Sequence, residues 1–151
     1  MEKIEYLYQA HGPALLGYLQ RSFGRCAAAE DLLQETFLQA LRGQDRLAAA
    51  DSPRAWLFGI ARHVGLTAAR RHRPTQSLDA VPEGMAELNP ELTDMREAIA
   101  QLLPAMREPL ELRLRENLSY EEIATMLEIP LGTVRSRLHT AMQKLRDAME
   151  K

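Results

Sequence analysis

The sequence contains almost no cysteine and no long apolar run, and each of these absences excludes a class of protein. Cys26 is the single cysteine among 151 residues, which excludes an internal disulfide and a zinc site built on several thiolates. The apolar runs are too short to cross a membrane, and charged Glu2 and Lys3 follow the first methionine, unlike the start of a signal peptide. We therefore expect a cytoplasmic protein that makes no membrane contact of its own.

Sequence patterns typical of phosphate-binding, catalytic and metal-binding sites are also absent. There is no glycine-rich phosphate loop, and no serine or cysteine nucleophile has a base at a suitable spacing. The histidines, at positions 11, 63, 72 and 139, are scattered without the spacing of metal ligands. The sequence therefore predicts that the chain is not an enzyme and that it needs no cofactor and no metal.

Apolar residues recur at helical spacing throughout the N-terminal half, and no strand-like alternation is present. The pattern predicts a first helix over residues 4–23, kinked or interrupted at Gly12-Pro13, and a second over residues 27–42. Residues 43–52 are predicted to be a loop, and Pro53 starts a third helix that follows an Asp51 or Ser52 cap. The predicted core of the second and third helices comprises Leu32, Leu33, Thr36, Phe37, Ala40, Leu41, Trp56, Leu57, Ile60, Ala61 and Val64.

Residues 74–89 separate this half from the rest of the chain. They hold two prolines, a glycine, polar residues and acids without apolar periodicity, which is typical of a linker. The sequence therefore predicts an all-α protein of two small helical domains, residues 1–73 and 90–151, joined by a flexible acidic linker. In the second domain, one helix is expected from Asn89-Pro90 to about Leu103 and another from Pro104 to about Asn117.

The C-terminal domain contains a predicted helix-turn-helix over residues 118–139. Ser119 and Glu122 form a capping box, in which each side chain accepts a hydrogen bond from an unpaired backbone N–H, so a helix should start at Tyr120. Pro130 ends that helix, because proline has no N–H and disfavours helical geometry in the residue before it. The turn between the two helices is therefore expected to be short.

The second helix of this motif is predicted to begin near Leu131 and to separate apolar from polar side chains. Its predicted buried stripe comprises Val134, Leu138, Met142 and Leu145. The residues that face elsewhere, and that suit phosphates and base edges, are Thr133, Arg135, Ser136, Arg137 and His139. Two alternatives stay open: the helix belongs to an ordinary bundle with a solvated face, or Arg137 forms a salt bridge to a glutamate of the preceding helix.

Charge is unevenly distributed along a chain whose net charge is −2. Residues 1–73 hold ten Lys and Arg against seven acids, residues 74–112 hold two against eight, and residues 113–151 hold seven against six. Tight autonomous DNA binding usually requires many basic contacts to phosphates. We therefore expect weak DNA binding, or binding with the help of a partner.

The basic residues at the end of the third helix are the most concentrated group. Arg70, Arg71 and Arg73 lie there, and Arg62 lies earlier on the same helix. Cations at a helix C-terminus are favoured by the helix dipole, which is a purely structural explanation for the cluster. Together with Arg62, the cluster indicates that one side of the third helix faces nucleic-acid phosphates.

Three stretches, in this order, resemble the bacterial sigma factors of the sigma-70 superfamily, specifically the small extracytoplasmic-function (ECF) type. Residues 29–42, AEDLLQETFLQALR, are similar to the helix that docks on the clamp of core RNA polymerase. Residues 53–62, PRAWLFGIAR, resemble the helix that helps to open the minus-ten element. Residues 103–145 are similar to the domain that reads the minus-thirty-five element. The resemblance implies a factor that directs promoter-specific transcription initiation.

The resemblance also implies roles for particular residues and partners. Core RNA polymerase, promoter DNA and an anti-sigma factor are the expected partners, and a partner polymerase explains the low positive charge. The expected polymerase-binding residues are Asp31, Gln34 and Glu35. The expected DNA-binding residues are Arg62, His63, Arg70, Arg71, Arg73, Thr133, Arg135, Ser136, Arg137 and His139.

Two other functions remain as alternatives. The first is a free-standing regulator of the LuxR-like kind, whose output helices follow a similar Ser-x-x-Glu-Ile-Ala pattern, although residues 1–73 show no receiver domain. The second is an adaptor that sequesters a partner without contacting DNA. Opening of a promoter would distinguish the sigma factor from both.

Overall fold

The computed structural model describes residues 2–72 and 90–150, and every regular secondary-structure element in these ranges is a helix. The predicted all-α class is therefore confirmed. Arg73 and the predicted linker, residues 74–89, lie outside the described residues, so the predicted domain boundaries stay predictions. Within the described ranges no helix is long and apolar enough to span a membrane. The helices are α1 (Glu2–Phe23), α2 (Ala29–Arg42), α3 (Gln44–Ala49), α4 (Pro53–His72), α5 (Pro90–Ala100), α6 (Pro104–Arg115), α7 (Tyr120–Leu127) and α8 (Leu131–Met149).

In the N-terminal half, α1, α2 and α4 pack against one another and form one compact unit. Helix α1 runs through Pro13 without interruption, so of the predicted kink or interruption, the interruption is wrong. Leu7 before the proline and Leu15 and Leu19 after it are all buried, so packing on both sides stabilises the helix across the missing hydrogen bond.

The segment between α2 and α4 is not the loop that the sequence predicts, because it contains the short helix α3. The backbone N–H of Arg46 donates to the Gly43 carbonyl at 2.9 Å, and Gln44 Nε2 donates to the Leu41 carbonyl at 3.0 Å. Leu47 is buried and is 3% exposed. A single apolar side chain therefore anchors this turn of helix, and one residue is too weak a signal for a periodicity prediction.

The start of α4 agrees with the predicted cap. Ser52 Oγ accepts a hydrogen bond from the backbone N–H of Ala55 at 3.1 Å, and Pro53 occupies the first helical position. Proline suits that position because its missing N–H would have no helical acceptor there. Of the two candidates, Ser52 is the capping residue.

The buried face of α4 is rotated from the predicted one. Trp56 and Ile60, expected in the core, are half-buried, and Leu41 of α2 is 36% exposed. Phe58 is fully buried instead, and its ring meets the Tyr18 ring edge to face with centroids 5.4 Å apart. The residues of α4 that are buried are Ala55, Leu57, Phe58, Ala61, Val64 and Gly65.

Gly65 lies where α4 packs against the Phe23 ring of α1. A Cβ at this position would lie 2.6 Å from Phe23 Cγ and closer still to two other atoms of that ring. The Phe23 ring is itself buried and meets the Tyr18 ring at a centroid distance of 6.0 Å. The close approach of the two helices therefore requires glycine at position 65.

In the C-terminal half, α5 and α6 pack against α8 and form a second compact unit. Helix α6 has Pro104 in its first turn and contains the buried Pro109, which does not end it. Leu110 and Leu112 of α6 are buried, as are Leu118 and Ile123 around the start of α7.

Candidate nucleic-acid interface and docking surface

The start of the helix-turn-helix has the predicted capping box. The Ser119 backbone N–H donates to Glu122 Oε1 at 2.9 Å, and the Glu122 backbone N–H donates to Ser119 Oγ at 3.0 Å. Helix α7 begins at Tyr120, as the box requires. Leu118 and Ile123, the predicted hydrophobic pair around the cap, are both fully buried. The first helix of the motif is therefore fixed at its N-terminus by side chains as well as by packing.

Two backbone hydrogen bonds close the turn that follows α7. The Ile129 N–H donates to the Ala124 carbonyl at 3.1 Å, and the Glu128 N–H donates to the Thr125 carbonyl at 3.3 Å. These are the paired bonds of a Schellman motif, which places one residue in the left-handed region. That residue is Glu128, with φ of 57°, where glycine would be the usual choice.

Helix α8 follows at once. Pro130 occupies the N-cap with extended backbone, and its carbonyl accepts hydrogen bonds from the N–H groups of Thr133 at 3.0 Å and Val134 at 3.2 Å. The helix starts at Leu131, as predicted. The turn between the two helices is therefore as short as the sequence indicates.

The buried stripe of α8 differs from the predicted one at a single position. Val134, Leu138, Ala141 and Leu145 are buried, whereas Met142 is 43% exposed. At 3.6 residues per turn, the four buried positions fall within an arc of about 60°, and Met142 lies outside it. The smaller neighbour, Ala141, fills the position that the sequence assigned to methionine.

The polar residues of α8 divide between two flanks of this stripe. Arg135, Ser136 and His139 are exposed and share one face, within an arc of about 100°. Thr133 and Arg137 are half-buried and lie on the other flank. Among the residues that the structure describes, Arg137 has no ion pair with a glutamate of α7, which leaves its guanidinium available for another partner.

A second set of cations and one histidine lies along α4. Arg62 is half-buried, whereas His63, Arg70 and Arg71 are exposed. By helical geometry, Arg62, His63 and Arg70 occupy one arc of about 100°, whereas Arg71 lies about 80° beyond its edge. The sequence grouped Arg73 with them, and that residue lies outside the described part of the chain.

The exposed face of α2 carries the three residues predicted to dock on a partner protein. Asp31 and Gln34 are exposed, and Glu35 is half-buried, with its Oε1 accepting a hydrogen bond from Gln39 Nε2 at 3.2 Å. Leu38, one turn beyond Gln34, is 48% exposed. Sequence reasoning missed this leucine, although its helical spacing from Asp31 and Gln34 placed it on the same face.

An open groove lies beside these residues. Its volume is about 330 Å³, and its lining residues are Ile4, Gln34, Phe37, Leu38 and Leu41. Gln34 therefore connects the acidic and amide face of α2 to an apolar depression. A contiguous apolar depression with polar residues at its rim is typical of surfaces that bind another protein.

Two parts of the chain match families of known proteins. Residues 7–75 match the family described as Sigma-70 region 2, and residues 92–145 match the family described as Sigma-70, region 4. The chain is 33% identical to the RNA polymerase sigma factor CarQ of Myxococcus xanthus, over 98% of this chain and 90% of that protein. It is 36% identical to the ECF RNA polymerase sigma factor SigL of Mycobacterium tuberculosis, over 93% of this chain and 85% of the relative.

Solved structures share the fold. One is the sigma factor RpoE in complex with the anti-sigma factor NepR from Bartonella quintana, with a TM-score of 0.68 and 24% identity over 99% of this chain and 98% of the other. Another is CnrH in complex with the cytosolic domain of CnrY, with a TM-score of 0.65 and 25% identity, which covers 97% of this chain and 87% of the other.

The two helical regions and the helix-turn-helix are thus those of the sigma-70 family, and the chain belongs to that family of RNA polymerase sigma factors. Within the family it is an ECF sigma factor, built from regions 2 and 4. Such a factor binds core RNA polymerase and directs it to promoters, and it catalyses no reaction itself. The alternatives of a LuxR-like regulator and of an adaptor without DNA contact are therefore set aside.

Proposed function

We propose that three surfaces of this sigma factor have separate roles in transcription initiation. The exposed face of α2 binds core polymerase, and α8 reads the minus-thirty-five element. The basic residues of α4, together with residues 43–52 before it, hold the opened minus-ten element. The observation that carries the proposal is the separation on α8 of exposed Arg135, Ser136 and His139 from a buried apolar stripe. Polar side chains in that arrangement are free to contact DNA without disturbing the fold.

On α8, Arg135, Ser136 and His139 contact base edges in the major groove. They lie toward the N-terminal half of the helix, which is the end that a helix-turn-helix presents to bases. Arg135 is suited to a bidentate contact with guanine, which contributes about 1–3 kcal/mol of discrimination. Thr133 contacts a phosphate at the helix N-terminus, and Arg137 contacts the backbone from the other flank.

The test of this role measures binding of the holoenzyme to promoters that carry each single-base change in the upstream element. Arg135→Ala should abolish discrimination at one or two positions and leave it unchanged elsewhere. Lys144→Ala is the matched control, because it removes one exposed positive charge from the same helix outside the proposed base-reading face. If Arg135→Ala lowers affinity equally on all promoters, Arg135 contacts a phosphate and not a base.

On α4, Arg62, Arg70 and Arg71 contact phosphates of the minus-ten region, and His63 stands near its bases. Arg73, grouped with them by sequence, is proposed to act in the same way. Flipping a base out of the duplex costs a few kcal/mol, so we expect opening only when polymerase holds the DNA. Permanganate reactivity should fall when Arg70, Arg71 and Arg73 are changed together to glutamine, while binding to core polymerase stays unchanged. Normal reactivity would mean that the arginines are only a solvated helix end.

On α2, Asp31, Gln34 and Glu35 bind core polymerase, and Leu38 contributes apolar contact next to them. Leu38 also lines the open apolar groove beside this polar face, and an apolar depression with a polar rim supports a protein partner for this surface. Asp31→Ala with Gln34→Ala should weaken core binding and change the free energy of unfolding by no more than about 0.5 kcal/mol. Glu150→Ala, which removes an exposed acid at the end of α8, is the control. Unchanged core affinity in the double variant would falsify the assignment.

An anti-sigma factor is the remaining proposed partner, and the cytoplasm is the proposed site of action. The two solved relatives with the same fold are each in complex with another protein, and for RpoE that protein is an anti-sigma factor. A tagged copy of this chain, expressed in its own cells, should retain a protein that inhibits run-off transcription when both are purified. Retention of core polymerase alone would argue against such an inhibitor.

A further inference from the structure

Arg113, in the last turn of α6, contacts several of the residues that join α6 to α7. Its Nη1 donates to the Asn117 side-chain Oδ1 and to the Leu118 backbone carbonyl, each at 3.2 Å. Its guanidinium carbon lies 6.0 Å from the centre of the Tyr120 ring. A single exposed side chain therefore bridges the end of one helix and the first residue of the next.

The turn that Arg113 bridges has an unfavourable backbone conformation. Asn117 has φ of 54°, in the left-handed region, where asparagine is tolerated better than most residues. The next residue, Leu118, is fully buried, and its N–H donates to the Leu112 carbonyl at 3.3 Å. Ser119 then caps α7. The conformation at Asn117 thus determines where the helix-turn-helix begins and how α7 leaves α6.

We propose that Arg113 is a positioning residue for promoter binding, an inference that rests on the proposed function of α8. It holds the turn between α6 and α7 and so fixes the orientation of the helix-turn-helix, and it does not contact DNA. An exposed arginine in a DNA-binding unit would ordinarily be assigned to a phosphate. Here, however, Nη1 donates to two protein acceptors, and the guanidinium carbon lies over the Tyr120 ring.

The test compares two variants in holoenzyme with core polymerase, on the strongest promoter that wild type selects from a run-off library. Arg113→Gln removes the charge, whereas Asn117→Ala removes the acceptor of Arg113 and makes the left-handed backbone less favourable without any change of charge. Affinity is measured as a function of salt, on the promoter and on its single-base variants. Amide hydrogen exchange of residues 118–123 is measured on the full chain without DNA.

Both variants should lower promoter affinity by on the order of fivefold, the loss expected for one or two hydrogen bonds. The salt dependence should keep its wild-type slope, discrimination between the promoter and its single-base variants should fall, and residues 118–123 should exchange faster. Arg115→Gln is the control: it makes the same charge change two residues away on α6 and should leave exchange at 118–123 unchanged.

A different result would overturn the inference. If Arg113 contacts a phosphate, Arg113→Gln should lower the slope of log affinity against log salt by about 0.9, weaken all promoters equally, and leave Asn117→Ala like wild type. Unchanged exchange at 118–123 in Arg113→Gln would also overturn it, and that measurement needs no DNA. Failure of the wild-type holoenzyme to select any promoter would count against the proposed function instead.

Discussion

Replacing Gly65 by alanine should destabilise the N-terminal unit, although the same change in most helices is favourable. Alanine in a helix interior is more stable than glycine by about 1 kcal/mol. The new Cβ, however, would lie 2.6 Å from Phe23 Cγ, whereas carbon atoms prefer separations of about 3.5–4.0 Å. The Phe23 ring would have to move by roughly 1 Å, against the Tyr18 ring on which it packs.

The magnitude follows from these opposing effects. Overpacking in a core costs typically about 1–3 kcal/mol, and the upper end applies because the obstructing atoms belong to a buried, rigid ring. Subtracting the gain of about 1 kcal/mol in helix propensity leaves a net loss of about 2 kcal/mol. For a unit of this size, such a loss lowers the midpoint of thermal unfolding by roughly 8–16 °C.

Trp56 provides the assay, because it is the single tryptophan of the chain and lies half-buried in α4. Its fluorescence during urea unfolding therefore reports on the N-terminal unit and not on the C-terminal one. Gly17→Ala is the matched control in the same unit, since the nearest atom to its added Cβ is Nη1 of Arg21, at the end of a flexible side chain. That variant should be at least as stable as wild type.

The overlap with Phe23 also predicts that, in a double-mutant cycle, the effect of Gly65→Ala on the free energy of unfolding changes sign. With the ring removed by Phe23→Ala, Gly65→Ala should become stabilising by up to about 1 kcal/mol, because only the propensity gain remains. A Gly65→Ala variant that unfolds at the wild-type urea concentration, or above it, would refute the steric argument.

Three further predictions concern the helix-turn-helix, each measured by circular dichroism during thermal unfolding of the full chain. Ser119→Ala should lower its free energy of unfolding by about 1 kcal/mol through loss of the cap, and an unchanged transition would contradict that role. Glu128→Gly should raise it by up to about 1 kcal/mol by relieving the left-handed backbone, and a lower midpoint would count against strain at this position. Val134→Asp should unfold the helix-turn-helix by burying an unpaired charge, whereas Met142→Lys should cost no more than about 0.5 kcal/mol; equal effects would mean that the buried stripe is assigned wrongly.

The features that the sequence predicts correctly are those set by neighbouring residues. The capping box of Ser119 and Glu122, Pro53 at the start of α4 and Pro130 before α8 each act within one turn of helix. Such interactions depend little on the rest of the fold, so the sequence around them is sufficient. The helix boundaries that these residues determine are therefore confirmed.

The features that the sequence misses depend on distant parts of the chain. Residues 56, 57, 58 and 60 are all large and apolar, so two different faces of α4 could be buried on pattern alone. The choice of Phe58 over Trp56 follows from the rings that α1 brings against α4, such as that of Tyr18. Similarly, Ala141 and Met142 are adjacent and apolar, and packing around α8 favours the smaller one.

For the candidate site, Asp31, Gln34, Arg135, Ser136 and His139 are exposed, as their predicted roles require, whereas Thr133 and Arg137 are half-buried. Leu38 was missed because the acidic and amide residues around it made the face look simply solvated. The roles of all these residues stay predictions, since the contacts that define a role are made with atoms of polymerase and DNA. The sequence pattern can therefore predict which side chains are exposed, but which of them bind depends on the surfaces of polymerase and DNA.

The division of α8 into a buried stripe and a separate polar face has a consequence for the evolution of such factors. Substitutions at Arg135, Ser136 or His139 fall on exposed positions, where changes usually cost no more than about 0.5 kcal/mol. A lineage of duplicated copies could therefore acquire new promoter preferences one residue at a time, while every intermediate stays above the stability threshold for folding.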